Sequence, residues 1–159
     1  LDTIQEEITT FMTKLLASAL PHDVADEIRR QLRIAHEYES VSDCVDNLER
    51  LDEKMRQYRA DSSSNFYNSI TELSDCTQAV LKEINTVLRT KDQDVLREFS
   101  SVRERVRSQI KALRSKKLEE LTNVGVPPAV TSVMLSILNR YVHLFSHFEN
   151  IVDALSGEA

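Results

Sequence analysis

The sequence has very few of the residues that build turns, with two glycines and three prolines among 159 residues. Turns and strand ends favour clusters of Gly, Pro, Asn and Asp, so this scarcity favours long helices joined by short connections. No stretch alternates apolar and polar residues for long enough to build a sheet. We therefore predict an all-α fold, an antiparallel helical bundle of five long helices.

Long apolar runs are also missing. No run approaches the roughly 18 residues needed to cross a bilayer, and no signal-peptide pattern is visible. We expect this segment to be soluble. The chain begins at Leu1, without an initiator methionine and already in helical phase, so we expect a fragment of a longer protein whose membrane portion would lie upstream.

Charge and cysteine content exclude further classes of function. A net charge of −6 gives no general affinity for nucleic acid, because binding to phosphate backbones needs clustered Lys and Arg. Cys44 and Cys76 lie on different predicted helices without metal-ligand spacing, so we expect free thiols in a reducing compartment.

Motifs of catalysis are lacking as well. There is no glycine-rich phosphate loop, no nucleophile elbow and no zinc-type spacing of Cys and His. His143 and His147 are four residues apart on a predicted helix but have no acidic partner nearby in the sequence, so we interpret them as flanking the buried face. We predict that the protein is not an enzyme.

Apolar spacing places the five helices. It predicts helices over 2–18, 21–58, 66–88, 92–121 and from 128 onward, with Pro21 and Pro128 at two helix starts and a linker over 61–65. Asp92 is a candidate N-cap. The predicted buried face of the first helix is Ile4, Ile8, Phe11, Met12, Leu15 and Leu16. That of the second helix is Val24, Ile28, Leu32, Ala35, Tyr38, Val41, Val45, Leu48 and Met55. That of the fifth helix is Val130, Val133, Met134, Ile137, Tyr141, Leu144, Phe148, Ile151 and Leu155.

An acidic ridge flanks the buried face of the second helix. Glu39 and Asp43 stand one turn apart, which opposes helix formation unless water or a cation lies against them. Asp46 or Asn47 would add a further oxygen, and Asp2 or Glu6 would close the site if the first two helices pack antiparallel. Such oxygen ligands suit Mg²⁺, Ca²⁺, Mn²⁺ or iron. The alternative for all these carboxylates is a solvated face.

This ridge also carries a resemblance to a known family. Residues 33–49, RIAHEYESVSDCVDNLE, resemble the signature of PhoU domains. That signature has an acidic residue, an aspartate four residues later and an asparagine four residues after the aspartate. In this sequence the three positions are Glu39, Asp43 and Asn47. PhoU domains consist of two three-helix repeats and regulate phosphate uptake and its signalling. Some carry iron or other metal clusters on such acidic pairs, so the resemblance implies iron, manganese or another divalent metal.

An internal repeat accompanies the resemblance. An offset of 107 residues pairs Pro21 with Pro128 and His36 with His143, and it places Ser146 and Asn150 at the positions of Glu39 and Asp43. We predict a first repeat over 1–60, which lacks its opening helix, and a complete second repeat over 61–159. The apolar surface left bare by the missing helix favours a homodimer.

The variant EYESVSD resembles the PhoU domains that follow the membrane part of sodium/phosphate cotransporters. It implies a regulatory domain on the cytoplasmic side of the membrane, whose partner is the transport domain of the same polypeptide. The alternatives are a free-standing regulator of a phosphate ABC transporter and its signalling, or a structural scaffold without metal.

A basic ridge runs along the fourth predicted helix. Arg103, Arg107, Lys111 and Arg114 step by four, four and three residues, so they share one face. The ridge is either a solvated face, partly neutralised by Glu98 and Glu104, or a contact for anionic lipid or an acidic partner. It could also be where the missing helix packs.

Overall fold

The computed structural model describes residues 2–58, 64–90, 99–123 and 127–156, and the all-α prediction is confirmed. Five helices follow in order: α1 (Asp2–Leu16), α2 (His22–Gln57), α3 (Ser64–Thr90), α4 (Phe99–Asn123) and α5 (Pro128–Ser156). The described residues contain no strand. None of these helices is both long and apolar enough to cross a membrane.

Prolines set the helix starts as predicted. The carbonyl of Pro21 accepts the first bond of α2 from the Ala25 amide at 3.0 Å, and that of Pro127 accepts from Val130 at 2.9 Å. The first backbone N–H groups of a helix have no partner within the helix. Proline, which lacks a backbone N–H, therefore costs no hydrogen bond at these positions. α3 begins at Ser64, inside the predicted linker, while Asp92, Val95 and Glu98 lie outside the described residues.

The bundle is organised around α2 and α5, the two helices with the most extensive mutual packing. They run antiparallel: Glu37 contacts His147 and Asn150, whereas Cys44, further along α2, lies near Arg140, earlier in α5. α1 packs on the outside of α2, and α4 packs on α5 to a similar extent. α3 packs against α5 and α4.

The core joins α2, α3, α4 and α5 in one continuous cluster of buried side chains. Every described residue predicted for the buried face of α5 is buried, apart from the half-buried Leu155. α1 contributes no buried residue, and its predicted inner residues Ile4 and Phe11 are 59% and 60% exposed. The first helix is therefore amphipathic, as predicted, but part of its apolar face is exposed to solvent.

Two tyrosines tie α3 to the central pair. The hydroxyl of Tyr38 donates to Asn85 Oδ1 at 2.7 Å, and burial raises the pKa of Tyr38 to about 12. Burial also raises the pKa of Tyr141, and the nearby side chain of Ser74 partly offsets that rise. The contact with Asn85 gives the partly buried hydroxyl of Tyr38 its partner, as a packed interior requires.

Candidate functional site

The acidic ridge lies beside a groove between α1 and α2. Glu39 is half-buried and lines the groove, whereas Asp43 and Asp46 are exposed on α2. The amide of Asn47 donates to the backbone carbonyl of Asp43 at 2.7 Å, so that amide is occupied within its own helix. The ridge thus presents one carboxylate to the groove and the others to solvent.

The first two helices pack antiparallel, but a different side chain of α1 meets the ridge. Gln5 Nε2 donates to His36 Nδ1 at 2.8 Å, and Gln5 lines the groove together with Glu39. Glu6 is exposed and does not line it, and the side chain of Asp2 is outside the described set. Among the described residues, no three His, Cys, Asp or Glu side chains lie together in a group able to hold a metal ion. The metal site therefore stays a prediction, with Glu39 as its best-placed ligand.

The groove itself is apolar and open at the surface, with a volume of about 370 Å³. Leu88, near the end of α3, closes one side of it. Its lining residues are Ile4, Gln5, Ile8, Met12, Gln31, Ile34, Ala35, Tyr38, Glu39 and Leu88. A polar rim around an apolar floor is typical of surfaces that bind other molecules.

A second groove lies between α4 and α5, and the repeat relates it to the first. Val142, Phe145 and Ser146 line it, and they stand 107 residues after Ala35, Tyr38 and Glu39. Side chains of α4 also line this groove, whose volume is only about 50 Å³. The predicted repeat thus relates three lining residues of each groove, and the first groove is the larger.

The basic ridge of α4 divides between internal contacts and the surface. Arg103 forms an ion pair with Glu149 of α5, and Arg114 NH1 donates to Asn139 Oδ1 at 3.4 Å. Arg107 and Lys111 are exposed. The sequence pointed to Glu98 and Glu104 as the neutralising groups, whereas the recorded partner of Arg103 comes from α5. Arg114 is exposed as well, so three of the four predicted contact residues, Arg107, Lys111 and Arg114, remain as surface cations.

A polar cluster that the sequence reading missed joins α2 to α5. Glu37 Oε2 lies 2.7 Å from His147 Nδ1, and Glu37 Oε1 accepts from Asn150 Nδ2 at 3.0 Å. An ionised carboxylate can only accept, so the proton of this contact lies on Nδ1 of His147. The acidic partner that His147 lacks in its own stretch of sequence therefore comes from α2. No local pattern signals this contact, because Glu37 and His147 are 110 residues apart.

The candidate site residues thus lie in three places: an open apolar groove lined by one carboxylate, the neighbouring acidic ridge of α2, and the exposed cations of the basic ridge on α4. No protein-family model, curated protein or solved structure matches this chain, so the resemblance to PhoU domains rests on the residues of α2.

Proposed function

We propose that this chain is a PhoU-like regulatory domain of phosphate transport, attached to a membrane transport domain related to the sodium/phosphate cotransporters, on the cytoplasmic side of the membrane. The observation that carries the proposal is the pair of equivalent grooves. The 107-residue offset matches three lining residues of the first groove, Ala35, Tyr38 and Glu39, with three of the second, and the PhoU-type acidic motif borders the first groove.

The architecture supports this proposal. Two helical hairpins, α1 with α2 and α4 with α5, pack together through the antiparallel pair of α2 and α5, which is the arrangement expected of two related repeats. Such a bundle offers a rigid surface whose contacts can bias a transporter between states. The proposed contact with the transport domain uses the exposed cations Arg107 and Lys111.

A test measures uptake of radiolabelled phosphate by cells that carry the full-length gene. Replacing Arg107 and Lys111 by Glu reverses two exposed charges four residues apart on α4. The matched control replaces Arg50 and Lys54 by Glu, also an exposed Arg and Lys four residues apart, on α2. We expect the first variant to change how uptake depends on external phosphate, and the control to behave as wild type.

A third strain, in which the segment encoding residues 1–159 is deleted, keeps the test decisive. Unaltered phosphate uptake in this strain at every external concentration would contradict the proposal and favour a structural scaffold. Uptake of an unrelated solute serves as the reference for general damage to the membrane.

A further inference from the structure

The open groove between α1 and α2 leaves large apolar side chains in contact with solvent. Ile4 and Ile8 line it and are 59% and 36% exposed, and Phe11, on the same helix, is 60% exposed. Residues 4, 8 and 11 follow the spacing of a single helix face. An apolar stripe of this kind beside an apolar groove is typical of a surface that another helix covers.

The helices that border the groove are acidic where they meet. Residues 2–13 of α1 and residues 34–49 of α2 contain no Lys or Arg. The acidic residues in these two stretches are Asp2, Glu6, Glu7, Glu37, Glu39, Asp43, Asp46 and Glu49. Glu37 is engaged with His147, whereas Glu7, Asp43 and Asp46 are exposed. Lys14 and Arg33 adjoin these stretches, so the surroundings of the groove carry an excess of negative charge.

The corresponding groove between α4 and α5 has a different character. Arg103, Arg107 and Glu149 line it together with the buried side chains of Val106 and Ile110, and the ion pair of Glu149 with Arg103 offsets one of the two positive charges. Since the two grooves occupy equivalent positions in the repeat, an open and acidic groove is not a general consequence of this architecture. The first groove differs in both volume and charge, which are the two properties that select a partner.

We propose that the groove between α1 and α2 binds a cationic amphipathic α-helix of another protein. Apolar side chains spaced three and four residues apart on that helix enter the groove against Ile8, Met12 and Ile34. Its Lys and Arg side chains face Glu39, Asp43 and Asp46. Burial of the apolar side chains supplies affinity, and the charges supply orientation and the rate of association.

A second copy of this chain fits the groove less well. The cations of the chain's own basic ridge lie on α4, whose large apolar residues Phe99, Val106 and Ile110 are already buried in the core. Such a helix brings charge but few apolar side chains to insert, since Leu118 is the large apolar residue of α4 found exposed among the described residues. The homodimer expected from the sequence would place a second copy of the chain in the groove instead. The test below separates a second copy from a cationic helix of another protein.

The test uses a fluorescein-labelled synthetic helix of 18 residues, with Leu at every third or fourth position and Lys on the remaining face. Binding to the full chain is followed by fluorescence anisotropy as salt is raised. We expect saturable binding that weakens with salt, because exposed charges are screened. A scrambled peptide of the same composition, which has no apolar face, is expected not to bind.

Two pairs of variants locate the site. Glu39→Lys with Asp43→Lys should weaken binding by about tenfold or more, whereas Asp75→Lys with Glu83→Lys, which changes the net charge equally on exposed positions of α3, should weaken it far less. Ile4→Ser with Phe11→Ser should also weaken binding, while Leu118→Ser, a change to an exposed leucine of α4, should not.

Equal binding of the scrambled peptide, or equal loss in the two charge-reversed variants, would overturn the proposal. So would sedimentation that detects a dimer which the Ile4→Ser and Phe11→Ser changes dissociate, because a second copy would then occupy the groove. These outcomes are independent of phosphate uptake, so the docking proposal and the proposed function can fail separately.

Discussion

At the scale of residues, the contact that best defines the central pair is the carboxylate of Glu37 held between His147 and Asn150. All three side chains are partly buried, where a polar group without a partner destabilises the fold. The predicted 107-residue offset places Leu144 at the position of Glu37, and a leucine side chain cannot accept a hydrogen bond. The offset therefore does not predict a second contact of this kind.

We expect Glu37→Ala to lower the free energy of unfolding by roughly 1–3 kcal/mol, because His147 and Asn150 lose a partner that water only partly replaces. Urea unfolding followed by circular dichroism measures the change. Glu53→Ala, the same substitution at an exposed position of the same helix, is the control and should change stability by less than about 0.5 kcal/mol. If Glu37→Ala and His147→Ala prove additive in a double-mutant cycle, the contact does not couple the helices.

Substitution of two residues, Glu39 and Asp43, tests the predicted metal site. Glu39 and Asp43 repel each other one turn apart, and a divalent cation would remove that repulsion. We expect Mn²⁺ or Fe²⁺ to raise the melting temperature of the native chain and to leave that of the Glu39→Gln, Asp43→Asn double variant unchanged. If neither metal shifts the native protein and the double variant is the more stable of the two, the ridge is solvated.

At the scale of helices, α2 differs most from its sequence-based description. A single apolar seam was predicted, yet Val24 and Val45 of that seam are 40% and 51% exposed, while Ile34 and Cys44 beside it are buried. α2 packs against α5 and also against α1, so its apolar residues divide between two directions. Burial raises the pKa of the Cys44 thiol, and the positive charge of Arg140 partly offsets that rise.

A matched pair of valines tests this arrangement. Val41 is 5% exposed and Val45, one turn later, is 51% exposed, although both belonged to the predicted seam. We expect Val41→Lys to destabilise the protein by roughly 3 kcal/mol or more, because it buries an unpaired charge. Val45→Lys should cost less than about 1 kcal/mol. Thermal unfolding measures both changes. Equal losses of stability in the two variants would mean that both valines are buried, as the predicted single seam requires.

The contrast between α2 and α5 explains how much the sequence could predict. Helix number and the proline-started boundaries were readable because they depend on local spacing and backbone chemistry. α5 packs against α2, α3 and α4, so residues beyond its predicted seam, such as Leu138 and Phe145, are buried too. The Glu37 cluster and the division of the basic ridge depend on partners distant in sequence, which periodicity does not encode.

At the scale of the whole molecule, the bundle is a four-helix core with a fifth helix on its surface. The core cluster draws on α2 to α5, and α1 lies outside it with its apolar face partly bare. Met12, Leu15 and Leu16 are half-buried, and one hydrogen bond, from Gln5 to His36, is recorded between the side chains of α1 and α2. Removing α1 therefore tests the groove with little loss of core, since α1, one of the two helices that border the groove, contributes little to the core cluster.

This separation predicts that a chain starting at Leu20, which lacks α1, still folds. Its free energy of unfolding should fall by roughly 1–4 kcal/mol, the value expected for half-burial of three apolar side chains. Phe148→Ala in the full chain provides the comparison. Phe148 is fully buried, so this one substitution should cost about 3–5 kcal/mol. The shortened chain should retain a cooperative urea transition and a helical circular dichroism spectrum, yet it should no longer bind the cationic helix. If it has no cooperative transition, α1 is part of what holds the core together, and the groove cannot be altered without cost to the fold.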